Sequence, residues 1–146
     1  MGDELMTAYN EYINSRFMTL PFTLKLLSKH INLHDGILQQ IVYNHTQNSL
    51  AMKCVCGDLQ IGYFLIKIKY LGLDGPKEEE LLSVFDGRCI EILMDEIEIL
   101  ENQSYSHKMI FNTRSEIDII FRKVEIDVRD SSSTGYKKKP CRVKII

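Results

Sequence analysis

The spacing of hydrophobic positions changes near residue 31, and the change separates a helical start from a strand-rich remainder. Over 3–17, apolar residues recur every three or four positions, which predicts an amphipathic helix. Pro21 is a suitable first residue for a second helix. After residue 31, apolar and polar residues alternate in short runs bounded by turn residues, a pattern typical of β-strands.

The alternating runs predict a series of strands joined by short polar turns. Residues 37–43 and 50–56 form one predicted pair, and a long strand through 64–70 follows. Pro76 then opens a predicted short helix at 77–85, because three glutamates in its first turn complement the helix dipole.

The later strands change the phase of their alternation, which a regular strand cannot do. The run 90–92 and the run 97–99 place apolar residues on opposite parities, so an extra residue is predicted near Met94-Asp95. The final long strand shows the same change, and a second bulge is predicted near Arg122-Lys123.

Together these elements predict an α+β fold. We expect an antiparallel sheet of about five to seven strands, with two N-terminal helices and one helix inserted between strands. Residues 1–130 are predicted to form one domain, and 131–146 a flexible basic tail. The alternating Val143 and Ile145 leave open a terminal strand that adds to a sheet edge.

Composition and targeting signals favour a soluble, cytoplasmic protein. The chain has 146 residues, of which 45% are hydrophobic, enough for one domain with a proper core. It contains no apolar run long enough for a transmembrane helix, and its start lacks the features of a signal peptide. No membrane association is predicted, and the four cysteines are expected to be reduced thiols.

Charge is unevenly distributed along the chain. The net charge is −2, but residues 1–130 carry 13 basic and 20 acidic side chains, a balance of −7, whereas the last 16 residues carry five basic side chains and no acid. The acidic body argues against nucleic acid as the partner of the main domain, because phosphate contacts need clustered Lys and Arg. It is compatible with a basic protein partner.

Carboxylates are concentrated on the C-terminal strands. If those strands pair, several acids line the outer face of one sheet and form a candidate partner-binding surface. Ordinary solubility and protection of exposed strands explain the same pattern, and that alternative stays open. The candidate residues are Asp95, Glu96, Glu98, Glu101, Glu116, Asp118, Glu125 and Asp127.

The sequence offers little catalytic chemistry. His34-Asp35-Gly36 permits an acid/base or metal element, but neighbours on a strand point to opposite faces, so we expect a bend at Asp35-Gly36 with His34 tied to backbone. Cys54-Val55-Cys56 is one residue shorter than a zinc knuckle. Because no nucleophile elbow, dinucleotide motif or phosphate loop is present, we predict a protein without catalytic residues, metal or cofactor.

Several short stretches carry a resemblance to known proteins. They are His34-Asp35-Gly36 before a strand, Gly57-Asp58-Leu59-Gln60, Gly62-Tyr63-Phe64 and Met94-Asp95-Glu96-Ile97. Over roughly residues 31 to 128, the chain resembles a group of small bacterial domains of unknown function, some of which look like immunity proteins encoded beside secreted toxins. The resemblance implies an intracellular inhibitor that masks a toxin domain and carries no catalytic residues.

The leading hypothesis is therefore a non-enzymatic protein-binding module that neutralises a basic toxin domain. A small metal-dependent hydrolase using His34, Asp35 and nearby carboxylates is one alternative. A structural module that dimerises through an edge strand is another. The pattern of residues leaves the oligomeric state open.

Overall fold

The computed structural model describes residues 21–27, 31–58, 62–132 and 139–146. Contacts divide the chain into two compact units, 1–32 and 33–146. The helix predicted at 3–17 lies outside the described residues. In the first unit, the described part contains the short helix α1, Phe22–Lys25.

The second unit is built mainly from β-strands, because its sequence alternates apolar and polar residues over most of its length. Its described residues form eight strands and one helix, α2. The elements in chain order are β1 (Ile37–Asn44), β2 (Ser49–Asp58), β3 (Gly62–Leu71), α2 (Glu78–Phe85), β4 (Ile90–Ile99), β5 (Tyr105–Phe111), β6 (Glu116–Phe121), β7 (Lys123–Asp130) and β8 (Arg142–Ile145).

All eight strands belong to one sheet, in the order β6-β5-β4-β1-β2-β3-β7, with β8 paired to β1. Every pairing is antiparallel except that of β1 with β8. The coarse prediction of an α+β fold around an antiparallel sheet agrees with this architecture. Eight strands exceed the predicted five to seven because the last long run divides in two and the C-terminus adds one more.

The sheet curves back on itself. β6 and β7 stand at opposite ends of the strand order, yet only Arg122 separates them in the chain. The Arg122 amide donates to the Leu71 carbonyl, and an isolated bridge joins Gly75 to Ile120. The extension of β3 therefore pairs with the end of β6, and the two ends of the sheet meet there.

The bulge predicted in β4 is present, whereas the second predicted bulge is a break between two strands at Arg122. The register between β4 and β5 shifts between Ile92 and Met94, which moves the apolar parity from even to odd positions. At Arg122 the last long run leaves β5 and continues along β3 as β7. A phase change in the sequence thus marks a change of strand neighbour as well as a bulge.

The predicted flexible tail is wrong for Arg142–Ile145. This segment forms β8, whose Val143 and Ile145 align with Ile41 and Tyr43 of β1 in a parallel ladder. Just before it, Cys141 is buried and exchanges backbone hydrogen bonds with Gly87 and Arg88. The alternating apolar residues of this segment form a strand in spite of its basic composition. A terminal strand was the alternative that the sequence left open.

The hydrophobic core fills the inside of the curved sheet. Along β2 and β3 the even-numbered residues point inward, and along β5 and β6 the odd-numbered ones do. Four aromatic rings are fully buried: the centroids of Phe85 of α2 and Phe111 lie 5.1 Å apart in an edge-to-face contact, and those of Phe121 and Tyr70 lie 5.0 Å apart. Such pairs contribute beyond their buried area and fix the strands that carry them.

Candidate functional site

The outer side of β4, β5 and β6 brings four of the predicted carboxylates onto one surface. In the strand register, Glu96 lies opposite Lys108, which in turn lies opposite Asp118. Glu98 continues the surface along β4, and Glu116 along β6. We call Glu96, Glu98, Glu116 and Asp118 the acidic face.

Within the acidic face, the glutamates are exposed and the aspartate is held in place. Asp118 is half-buried and accepts a hydrogen bond from the hydroxyl of the buried Ser106. Lys108, between Glu96 and Asp118, is the one basic side chain in that row. The acidic face therefore keeps an excess of negative charge around a fixed carboxylate.

Apolar side chains adjoin one end of the acidic face. Leu93 is the bulged residue of β4 and is 41% exposed, and Ile110 of β5 is 37% exposed. Ile110 lies between two cross-strand neighbours, Met94 of β4 and Glu116 of β6. Large apolar side chains at the surface, bordered by charge, are a common composition for a protein-docking surface.

Asp95 differs from the other candidates because it points into the curved sheet. The bulge at Leu93 gives Asp95 the same parity as Ile97, and its carboxylate accepts from His107 Nε2 at 2.7 Å. Its side chain is 22% exposed and that of His107 is fully buried. Asp95 is thus part of the core hydrogen bonding and lies outside the acidic face.

A chain of hydrogen bonds continues from His107 into the core. The Tyr70 hydroxyl lies 2.6 Å from His107 Nδ1. Burial, reinforced by the nearby Asp95 carboxylate and Cys54 thiol, raises the pKa of Tyr70 well above its ordinary value. The phenol therefore keeps its proton and donates to Nδ1, which leaves Nε2–H to donate to Asp95. The Tyr70 hydroxyl and both ring nitrogens of His107 therefore have hydrogen-bond partners.

The raised pKa of Tyr70 predicts a loss of stability at alkaline pH. Above about pH 10 the unfolded tyrosine releases its proton while the folded one keeps it, so the free energy of unfolding falls as pH rises, by up to about 1.4 kcal/mol per pH unit. Urea unfolding between about pH 10 and pH 11.5 measures this slope. We expect Tyr70→Phe to make the slope less steep by up to about 1.4 kcal/mol per pH unit, while Cys54 and Cys141, whose pKa values are also raised, contribute what remains.

Tyr105→Phe is the matched control for that experiment, since Tyr105 is a half-buried ring of the same core. The two variants are compared by slope, so the different amounts by which they lower stability at neutral pH do not matter. An unchanged slope in Tyr70→Phe would contradict the assignment.

The remaining candidates lie elsewhere. Glu101 is exposed in the turn after β4. Glu125 and Asp127 lie on the outer side of β7, opposite Lys69 and Lys67 of β3, and Asp127 accepts from Arg129 Nε at 2.9 Å. The eight predicted residues therefore do not form one surface. They lie in four places: the acidic face, the inside of the sheet, the turn after β4 and the outer side of β7.

The His34-Asp35-Gly36 segment is a tight turn before β1, as expected. The expectation that the side chains of His34 and Asp35 point to opposite faces is wrong, because the two residues lie in a turn and His34 Nε2 is 3.4 Å from a carboxylate oxygen of Asp35. Asp35 has a φ of +63°, and the Gly36 amide donates to the Leu33 carbonyl at 2.9 Å. His34 Nδ1 donates to the Leu93 carbonyl at 2.6 Å. The side chains of His34 and Asp35 are both exposed. A Cβ on Gly36 would lie 2.7 Å from Cys56 Sγ, which explains a glycine at this turn.

The cysteines do not assemble a metal centre. Cys54 and Cys56 are buried side by side on β2, with their sulfurs 3.9 Å apart, and the neighbouring Cys56 thiol together with burial raises the pKa of Cys54. Burial, with a smaller effect of Asp86, raises the pKa of Cys141 to about 12. Within the described ranges, no three His, Cys, Asp or Glu side chains are grouped so as to hold a metal ion.

The hydrogen-bond chain of Tyr70, His107 and Asp95 was not anticipated from the sequence. One signal was available, because His107 shares its parity with Met109 and Phe111, which marks it as inward-facing. Its partners are distant in the chain, and only the curvature of the sheet brings Tyr70 of β3 to it.

Comparisons with protein-family models, with curated proteins and with solved structures find no match to this chain. In the part of the chain that the structure describes, no helix is long and apolar enough to cross a bilayer.

Proposed function

We propose that this protein is a non-enzymatic protein-binding module and that the acidic face is its docking surface. The observation that carries the proposal is the position of Glu96, Glu98, Glu116 and Asp118 on three adjacent strands, next to the exposed Leu93 and Ile110. A regular sheet holds these side chains at fixed spacing, so the surface is already arranged before a partner arrives.

The two kinds of side chain have different roles in this proposal. Leu93 and Ile110 are the apolar anchors that enter pockets of the partner and lose their contact with water. The carboxylates accelerate encounter with a basic surface through long-range attraction. A partner with clustered Lys and Arg around an apolar recess fits this arrangement.

The concrete version is a cytoplasmic immunity-type inhibitor that neutralises a basic bacterial toxin domain. It is supported by the resemblance of the short stretches described above to small bacterial immunity-like domains. The His34-Asp35-Gly36 part of that resemblance forms a turn in the structure, and its role here is to set the entry into β1. Inhibition by masking requires a complementary surface and no reactive side chain.

Charge reversal on the acidic face tests the proposal. We expect the double variant Glu98→Lys, Glu116→Lys to associate about tenfold more slowly with the toxin domain encoded by the neighbouring gene at low salt. The deficit shrinks at high salt, where the charges are screened. Stopped-flow association rates at several salt concentrations measure the effect.

The matched control is Glu79→Lys, Glu80→Lys on α2, where two exposed glutamates give the same change in net charge. Equal slowing in both double variants would show that only net charge matters and would reject the acidic face. Failure of wild-type protein to form a complex with that domain would reject the immunity function itself.

A further inference from the structure

A second surface lies on the outer side of β1, β2, β3 and β7, where a groove has a volume of about 390 Å³. Val42 and Ala51 line its base, and Lys53, Lys67 and Lys69 stand around it. Ala51 lies opposite Lys69 in the strand register, and its small side chain leaves the space that larger residues would fill. The volume is within the range of about 300–1,000 Å³ found for small-molecule sites.

The three lysines are placed close together by the register of β2 and β3. Lys53 and Lys67 are direct cross-strand neighbours, and Lys69 follows Lys67 on the same face. Like charges directly opposite each other on a sheet are destabilising. In a chain with a net charge of −2, this concentration of positive charge is a local exception.

The carboxylates of Glu125 and Asp127 also line the groove and offset part of the positive charge of these lysines. Asp127 lies opposite Lys67, but its carboxylate accepts from Arg129. Glu125 lies opposite Lys69. Among the described residues, ion pairs within 4 Å involve other side chains, and none includes Lys53, Lys67 or Lys69.

We propose that this groove binds a small organic polyphosphate of the nucleoside triphosphate type. Its phosphates would lie against the three ammonium groups, since lysine binds phosphate as a flexible point charge. The rest of the molecule rests on Val42 and Ala51, and the Glu125 carboxylate accepts from its hydroxyl or amino groups. A polyphosphate fits better than a single anion because it carries several charged groups, and the three ammonium groups are spread over two neighbouring strands.

A titration of the full-length, isotope-labelled protein with ATP, inorganic triphosphate and citrate, each without divalent metal, tests the proposal. We expect ATP and triphosphate to shift the backbone amide resonances of 51–53 and 67–69, with ATP the tighter ligand. We expect Lys67→Gln to weaken ATP binding about tenfold, as loss of one charge-assisted contact does. Lys53→Gln serves as a second variant.

The control is Lys77→Gln, an exposed lysine before α2 that makes the same change in charge and whose side chain forms no capping hydrogen bond. Its ATP affinity should equal that of the wild type. The absence of amide shifts in the groove, equal weakening by Lys77→Gln, or tighter binding of citrate than of triphosphate would each overturn the proposal. Glu98→Lys, Glu116→Lys should retain ATP binding, so this test is independent of the acidic face.

Discussion

Phe121→Ala is expected to lower the free energy of unfolding by about 3–5 kcal/mol, the usual cost of removing a buried phenyl ring. Phe121 is fully buried at the last position of β6. The centroid of its ring lies 5.0 Å from that of Tyr70 and 5.9 Å from that of Tyr105. Directly after it, the chain passes through Arg122 to the other end of the sheet. The cavity therefore forms where the two ends meet. Urea unfolding followed by circular dichroism measures the loss.

Ile120→Ala is the neighbouring control, because Ile120 is only half-buried and points to the outer side. It should cost clearly less than Phe121→Ala. Phe121→Leu should lie between them, since it retains part of the volume. If Phe121→Ala and Ile120→Ala lower the free energy of unfolding equally, the Phe121 ring does not stabilise the place where the two ends of the sheet meet.

His107→Leu is expected to cost about 2–4 kcal/mol, although it places an apolar side chain in a buried position. The substitution removes the acceptor of the Tyr70 hydroxyl and the donor to Asp95. A buried hydroxyl without a partner costs about 1–3 kcal/mol, and a partly buried carboxylate costs more than a neutral group. The free energy of unfolding at neutral pH checks the value.

A double-mutant cycle separates the hydrogen bond from packing. In the Tyr70→Phe background no hydroxyl remains to be left unsatisfied, so His107→Leu should cost less there than in the wild type. The difference between the two costs is the coupling energy of Tyr70 and His107. A coupling energy of zero would mean that the chain of hydrogen bonds contributes nothing as a unit.

Much of the sheet was predictable because strand periodicity is a local property. The change of phase between 90–92 and 97–99 located the bulge in β4, and the same reasoning located the break at Arg122. Both predictions rest on the rule that side chains alternate strictly along a strand. The approximate positions of β1, β2, β3 and α2 follow from the same kind of evidence.

The distribution of the candidate site residues was not predictable to the same degree. A bulge reverses the face of every residue that follows it, and this reversal sends Asp95 inward and turns Glu96 and Glu98 outward. Glu125 and Asp127 are separated from the acidic face because β7 pairs with β3. Pairing between distant strands depends on the whole fold, and alternation within one strand carries no information about it.

The position of β8 has a consequence for how the molecule is made. β8 follows all the other described strands in the chain, yet it pairs with β1, the first of them, about a hundred positions earlier. During synthesis, the edge of β1 from Gln40 to Tyr43 that pairs with β8 has no β8 to pair with until Arg142–Ile145 has left the ribosome, after all the other described strands. The ladder between β1 and β8 is therefore the last of the described strand pairings that the nascent chain can complete.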